Sequence, residues 1–201
     1  MARTSKHQLQ RDTVAIVGDG QTERIYFSDV RDTDRPVNLS IFPDYPRRIG
    51  NYKGVLDRAG SLVGNYNRIY ALVDVDKIIQ DQKQTAYARD KMTAEAAGII
   101  VLENNPCFEM WLLLHFMHTG KLFTGCNEVA AQLRGNGKIP DYEKSEKFLR
   151  NARLYKSYKS QLIEKAIPNA KRLETNRTDR DPLYPRAEIF RFFEWYLGNG
   201  K

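Results

Sequence analysis

Apolar and polar positions change rhythm repeatedly along the first two thirds of the chain. Residues 13–19, TVAIVGD, form a continuous apolar run closed by glycine and aspartate, as expected of a strand buried on both faces. TERIYFSDV then reads as a short helix, with Thr22 placed to cap it. PVNLSIFP (36–43) alternates between bounding prolines and predicts a second strand. From Tyr52 to Tyr66, the residues Val55, Leu56, Ala59, Leu62 and Val63 fall at helical spacing. RIYALVDVD (68–76) predicts a third strand, residues 81–97 a polar helix, and GIIVLE (98–103) a fourth strand. NNPCFEMWLLLHFMH opens another helix, with Asn105 as N-cap and Pro106 at the first helical position.

The order βαβαβαβα predicts an α/β fold with a mainly parallel four-stranded sheet between helices. Active groups in such folds collect where strands end and helices begin. Three of the four predicted strands end in carboxylates: Asp19, the pair Asp74 and Asp76, and Glu103.

After a glycine-rich loop, RGNGK (134–138), the pattern changes. Residues 143–167 predict one long helix with Phe148, Leu149, Ala152, Tyr155, Leu162, Ile163 and Ala166 on its apolar face. Lys144, Lys147, Arg150, Arg153, Lys156 and Lys159 crowd the remainder. Pro168 is expected to end that helix, a short helix near 169–175 follows, and TNRTDRDPLYP reads as a loop. A last helix is expected from Pro185, burying Ile189, Phe190, Phe193 and Leu197. The organisation is therefore an α/β catalytic core over 1–132 and a basic helical extension over 133–201, packed together as one compact domain.

Composition narrows the class. Of 201 residues, 41% are hydrophobic and 28% charged, ordinary for a soluble globular chain. The longest apolar run, MWLLLHFM, is too short to span a bilayer, and the polar start MARTSKHQLQRD carries no signal core. Cys107 and Cys126 show neither CxxC spacing nor a nearby histidine pair. This argues against a disulfide framework or a zinc site and for a reducing cytoplasm, with Cys107 a small buried residue. The net charge of +7 is unevenly spread: residues 1–132 hold 16 basic and 16 acidic side chains, and 133–201 hold 16 and 9. A neutral front and a basic back suit an acidic partner such as nucleic acid, or else a solvated basic surface. Lys144, Lys147, Arg150, Arg153, Lys156 and Lys159 are the candidate nucleic-acid-binding residues, following a phosphate backbone, while Tyr155 and Tyr158 among them could stack on bases or pack inward.

The segment IVGDGQTERIYF (16–27) admits a phosphate cradle, a turn, or half of a metal site. A Walker-type loop needs a lysine that GDGQTE lacks, and Glu23 stands where a dinucleotide fingerprint needs its third glycine. A plain turn leaves two carboxylates, four residues apart at a strand end, without a role. In ALVDVDK, strand alternation directs Asp74 and Asp76 to the same side and Val75 inward. Two such carboxylates repel unless a cation neutralises them, and hard oxygen donors favour Mg²⁺ or Mn²⁺. A phosphatase-type DxD belongs on the first strand and continues to threonine, whereas this one is on the third and continues to Lys77. Glu109, in the first turn of its helix, could reach back to the strand ends, and His115 is more often a core histidine than a catalyst.

Asp19 and Glu23 joined to Asp74 and Asp76 resemble the Toprim arrangement of topoisomerases, primases and OLD-type nucleases. NNPCFEMWLLLHF resembles the Asn-Pro-x-Phe-Glu-x-Trp-Leu-x-x-His-Phe block of the RloB family. DGQTERIYF resembles that family's Glu-Gly-x-x-Thr-Glu-x-x-Tyr-Phe opening, apart from Asp19 where the family has glutamate. The resemblance covers 13–118 well and the basic remainder loosely. It implies a Toprim-like, Mg²⁺- or Mn²⁺-dependent nuclease acting on DNA or RNA (tRNA included), partnered by an ABC- or OLD-type ATPase in bacterial anti-phage defence or abortive infection. Asp19, Glu23, Asp74 and Asp76 would hold metal, Asp19 would also serve as general acid or base, and Glu109 would support the site. A binding or effector subunit that keeps the fold without catalysis is the alternative, and no membrane is involved.

Overall fold

The computed structural model describes residues 11–45, 50–135, 137–177, 181 and 183–199. The polar start (1–10) and positions 136, 178–180 and 182 of the two expected loops lie outside the described residues.

A single sheet has strand order β2–β1–β3–β4–β5, made of β1 Asp12–Val17, β2 Leu39–Asp44, β3 Arg68–Asp74, β4 Ile100–Asn105 and β5 Arg186–Ala187. The first four strands are mutually parallel and β5 runs antiparallel to β4. The sheet thus has five strands, not the expected four. β5 is two residues long, too short to show alternation. Pairing places it: Asn104 lies opposite Ala187, and Glu188 N–H donates to Glu103 O at 2.9 Å.

Alternation along the strands divides two apolar cores. Val14, Ile16, Leu39, Ile41, Tyr70, Leu72 and Leu102 face the larger one. Ala15, Val17, Ile69, Ala71, Val73 and Val101 face the smaller. Helix α1 (Gln21–Asp34) covers the first face; α2 (Tyr52–Ser61), α3 (Asp76–Gln80) and α4 (Gln84–Ala96) cover the second. Right-handed crossovers require this division, because β1 to β2 runs one way along the sheet and β3 to β4 the other. The direction reverses between β1 and β3, leaving a crevice outside their C-terminal ends. The larger core also takes α5 (Glu109–Leu114), α6 (Cys126–Leu133), α7 (Glu146–Ala152), α8 (Leu154–Gln161), α9 (Ile167–Asn176) and α10 (Ile189–Asn199). No helix among the described residues is long and apolar enough to cross a membrane.

Several local expectations are corrected. Thr22 is not the cap of α1; Gly20 holds that position in extended backbone. Asn105 is not the cap of α5 but the last residue of β4, with its amide donating to Tyr184 O at 2.8 Å. The Asn105–Pro106 peptide is cis and α5 begins at Glu109. Asp76 is not on the third strand: β3 stops at Asp74, Val75 turns into helical backbone, and Asp76 opens α3. The turn is pinned by Val75 N–H on Asn104 O at 3.0 Å and Asp76 N–H on Pro106 O at 3.2 Å. Val75 does face the core, at 2% exposure.

The single helix expected over 143–167 is broken. Arg153 adopts left-handed backbone (φ 42°) between α7 and α8, and a π-helical turn, Leu162–Ala166, joins α8 to α9. Ile163 on that turn is exposed rather than buried. Pro168 ends nothing; it sits in the first turn of α9, directly after the π-helical turn. The last helix begins at Ile189, since residues 186–187 serve the sheet. Cys107 and Cys126 are joined as a disulfide, against the expectation of unpaired cysteines. The start of α6 returns over the start of α5, a tertiary approach that the 19-residue separation does not announce.

Candidate functional site

The C-terminal ends of β1 and β3 and the first turns of α1, α3 and α5 converge at the switch point of the sheet. Each contributes a carboxylate: Asp19, Glu23, Asp74, Asp76 and Glu109. Glu23 is buried in the first turn of α1. Its carboxylate folds over Gly20, where an added Cβ would push the Glu23 carboxylate aside. Burial, and the nearby charges of Glu109 and Asp19, push the Glu23 carboxyl up to about 8, against its own backbone N–H and Lys144, which favour ionisation.

Asp74 is raised well above the ordinary carboxylate range by burial and by Glu23, Glu109, Asp19 and Asp76. Asn104 Nδ2 donates to its Oδ1 at 3.4 Å, while the Oδ1 of Asn104 itself is buried with no hydrogen-bond partner among the described residues. Asp19 keeps one side in solvent; the desolvated inner side of its carboxyl and the charge of Asp76 raise it as well. Asp76 Oδ1 accepts from Lys77 N–H at 2.7 Å. Mutual elevation of this kind records negative charges held within mutual reach.

Glu109 is 1% exposed. Its Oε1 accepts from Tyr142 Oη at 2.7 Å and Thr22 Oγ1 at 3.4 Å, and pairs with Lys144 Nζ at 2.9 Å. Its Oε2 lies 3.0 Å from Cys107 Sγ and 2.8 Å from Cys126 Sγ. The joined sulfurs carry no hydrogen and offer no thiolate to a metal. Glu109 is therefore anchored on one side and faces Glu23 and Asp74 on the other.

Tyr45 was not singled out by the sequence pattern. It follows β2 and lies across Gly18, where a Cβ would come within 2.5 Å of its ring. Its hydroxyl is buried with no hydrogen-bond partner among the described residues. Burial and the charges of Glu23, Asp19 and Asp74 raise that phenol well above its usual range. The hydroxyl thus lies within electrostatic reach of three carboxylates without bonding to any of them. Hard oxygen donors that repel one another suit a hard divalent cation with its water and phosphate ligands.

The remaining named residues fall elsewhere. Glu103 pairs with Lys91 at 2.9 Å and Arg186 at 2.7 Å and accepts from Tyr87 Oη at 2.9 Å, bracing β4 against α4 and β5. His115 is buried with Nδ1 2.9 Å from Trp111 O, and burial lowers its pKa to about 4. Among the basic row, Lys144 is taken by Glu109, Arg150 by Glu146 at 2.6 Å, Arg153 by Asp29 at 2.8 Å and Lys159 by Asp34 at 2.6 Å. Lys147 and Lys156 are exposed with no ion pair among the described residues. Tyr155 is buried and donates to Asp34 Oδ2 at 2.6 Å, while Tyr158 is half-buried against Phe116.

A protein-family model described as RloB-like protein matches residues 14–194 of the chain. No curated protein and no solved structure matches it.

Proposed function

The chain belongs to the RloB-like family, and from that premise we propose that it is a metal-dependent nuclease with a Toprim-like site, hydrolysing phosphodiester bonds of DNA or RNA. The observation that carries this reading is the convergence of Asp19, Glu23, Asp74, Asp76 and Glu109 at the switch point, around a Tyr45 hydroxyl with no partner among the described residues. Glu23, Asp74 and Asp76 would hold Mg²⁺ or Mn²⁺. The ion, when bound, polarises the phosphate and lowers the pKa of a coordinated water.

The chain's own groups do the rest. Glu109, fixed by Tyr142 and Lys144, sets its carboxyl group beside Glu23 and so adds an oxygen donor where a cation would sit. Asp19, with its raised carboxyl open to solvent, takes the proton of the attacking water. The Tyr45 hydroxyl donates to a phosphate oxygen. We propose an ABC-type ATPase as partner and bacterial defence as the setting. One residue favours a non-cutting effector subunit instead: Asp19, a methylene shorter than the glutamate of the family pattern it resembles.

Plasmid, single-stranded DNA and tRNA incubated with the protein in Mg²⁺ or Mn²⁺ provide the test. Cleavage is expected with wild type and lost by more than ~100-fold with Asp74→Ala; Tyr45→Phe is expected to slow it about 10- to 100-fold. If no substrate is cut even with the partner ATPase, or if Asp74→Ala cuts equally well, the nuclease reading fails.

A further inference from the structure

A cleft of about 430 Å³ opens on the carboxylates, with Asp19, Asp74 and Asp76 in its wall together with Lys53, Lys77 and Lys83. Its volume falls within the ~300–1,000 Å³ typical of small-molecule sites. Asn51 and Asp81 add polar groups, and Tyr52, Val55, Val73 and Ile78 give an apolar and aromatic wall. Tyr52 is held in place: its hydroxyl donates to Asp90 Oδ2 at 3.3 Å and its ring meets Tyr87 edge-on at 5.1 Å.

The lysines decide what this cleft accepts. Lys83 is bound to Asp81 at 2.8 Å. Lys53, in the first turn of α2, and Lys77, beside Asp76 in α3, are exposed and have no ion pair among the described residues. Two ammonium groups therefore share a cleft with three carboxylates without neutralising them. A polyanion approaching those carboxylates is repelled unless cations meet its other phosphates. An aromatic ring and an apolar wall beside two free cations match the parts of a nucleotide: base, sugar and phosphate.

Building on the nuclease reading, we propose that this cleft seats the nucleotide adjoining the scissile phosphate, with that nucleotide's own phosphate held by Lys53 and Lys77 and its base against Tyr52. The basic row over 144–159 is then not the principal strand-binding surface, since Lys144, Arg150, Arg153 and Lys159 already serve carboxylates of the protein.

Lys53→Ala/Lys77→Ala, compared with wild type, separates the possibilities. Fluorescence anisotropy reads binding of a labelled single-stranded oligonucleotide, as DNA and as RNA, across a salt series in Mn²⁺; calorimetry reads Mn²⁺ binding; gel analysis reads cleavage. The expected result is binding weakened at least 10-fold, a salt slope smaller by about 0.7 for one lost single-strand phosphate contact, and Mn²⁺ affinity no weaker than that of wild type, which also certifies the fold. Wild-type affinity and salt slope in the double variant, while wild type binds and cuts, would overturn the cleft assignment and leave the nuclease reading standing. If wild type neither binds nor cuts either oligonucleotide, the nuclease reading falls and the cleft assignment with it.

Discussion

His115 shows how one buried ring turns the molecule into a pH-sensitive one without touching chemistry. Its imidazole lies among Trp111, Tyr26 and the Trp111 carbonyl, where burial lowers its pKa to about 4. An unfolded histidine titrates near ~6.5. The folded value is the lower one, so the stability conferred by the neutral ring is fully present above about pH 6.5 and is lost as the pH falls toward about 4. Urea unfolding at pH 7 and pH 4.5 should show wild type losing on the order of 2–3 kcal/mol more than His115→Gln over that interval. Equal acid sensitivity in the two proteins would remove His115 as the cause.

Elements are set by partners far away in sequence, and the break between α7 and α8 is the clearest case. Arg153 takes left-handed backbone, uncommon for a side chain with a Cβ. In return its Nε and Nη2 reach Asp29 Oδ1 at 2.9 and 2.8 Å, and Lys156 N–H reaches Asp29 Oδ2 at 3.0 Å. Asp29 is buried on α1, so removing its cation leaves a charge without compensation. Arg153 is itself half-exposed, which screens the pair. Arg153→Ala is expected to cost about 2–3 kcal/mol in chemical denaturation, and Asp29→Asn/Arg153→Ala less than the sum of the singles. Strict additivity would mean that the pair does not set the break.

The same case explains what the sequence reveals. β1, β3 and β4 are legible because burial on both faces produces apolar runs that need no knowledge of the neighbours, and β2, at the sheet edge, because it alternates between bounding prolines. Asp19, Glu23, Asp74 and Asp76 are legible because each stands where a strand ends or a helix starts. The Arg153 break is illegible because its cause lies 124 residues away. Tyr45, Lys53 and Lys77 carry no motif, and only the meeting of β2, α2 and α3 with the carboxylates gives them a role. The Cys107–Cys126 bond is hidden for the same reason: a distance in space has no signature in spacing.

At the scale of the whole molecule, the chain does not divide cleanly at residue 132. The larger core holds Val14, Ile16 and Tyr26 together with Leu154, Leu173, Phe192 and Phe193. Phe193 stacks on Trp111 and Tyr155, with ring centroids 5.5 and 5.9 Å away. A fragment ending at residue 132 should therefore fail to fold, exposing α1 and α5 and binding a hydrophobic dye, with no cooperative thermal transition. A cooperative melt in that fragment would make 1–132 an autonomous unit.

Glu109 adds a consequence in the order of manufacture. The ribosome delivers Asp19, Glu23, Asp74, Asp76 and Glu109 first, and then Tyr142 and Lys144, whose bonds fix the Glu109 carboxylate. The strand that closes the sheet edge, Arg186–Ala187, arrives later still. If this protein cuts nucleic acid, its cutting edge is thus incomplete until Tyr142 and Lys144 have left the ribosome, after the carboxylates themselves.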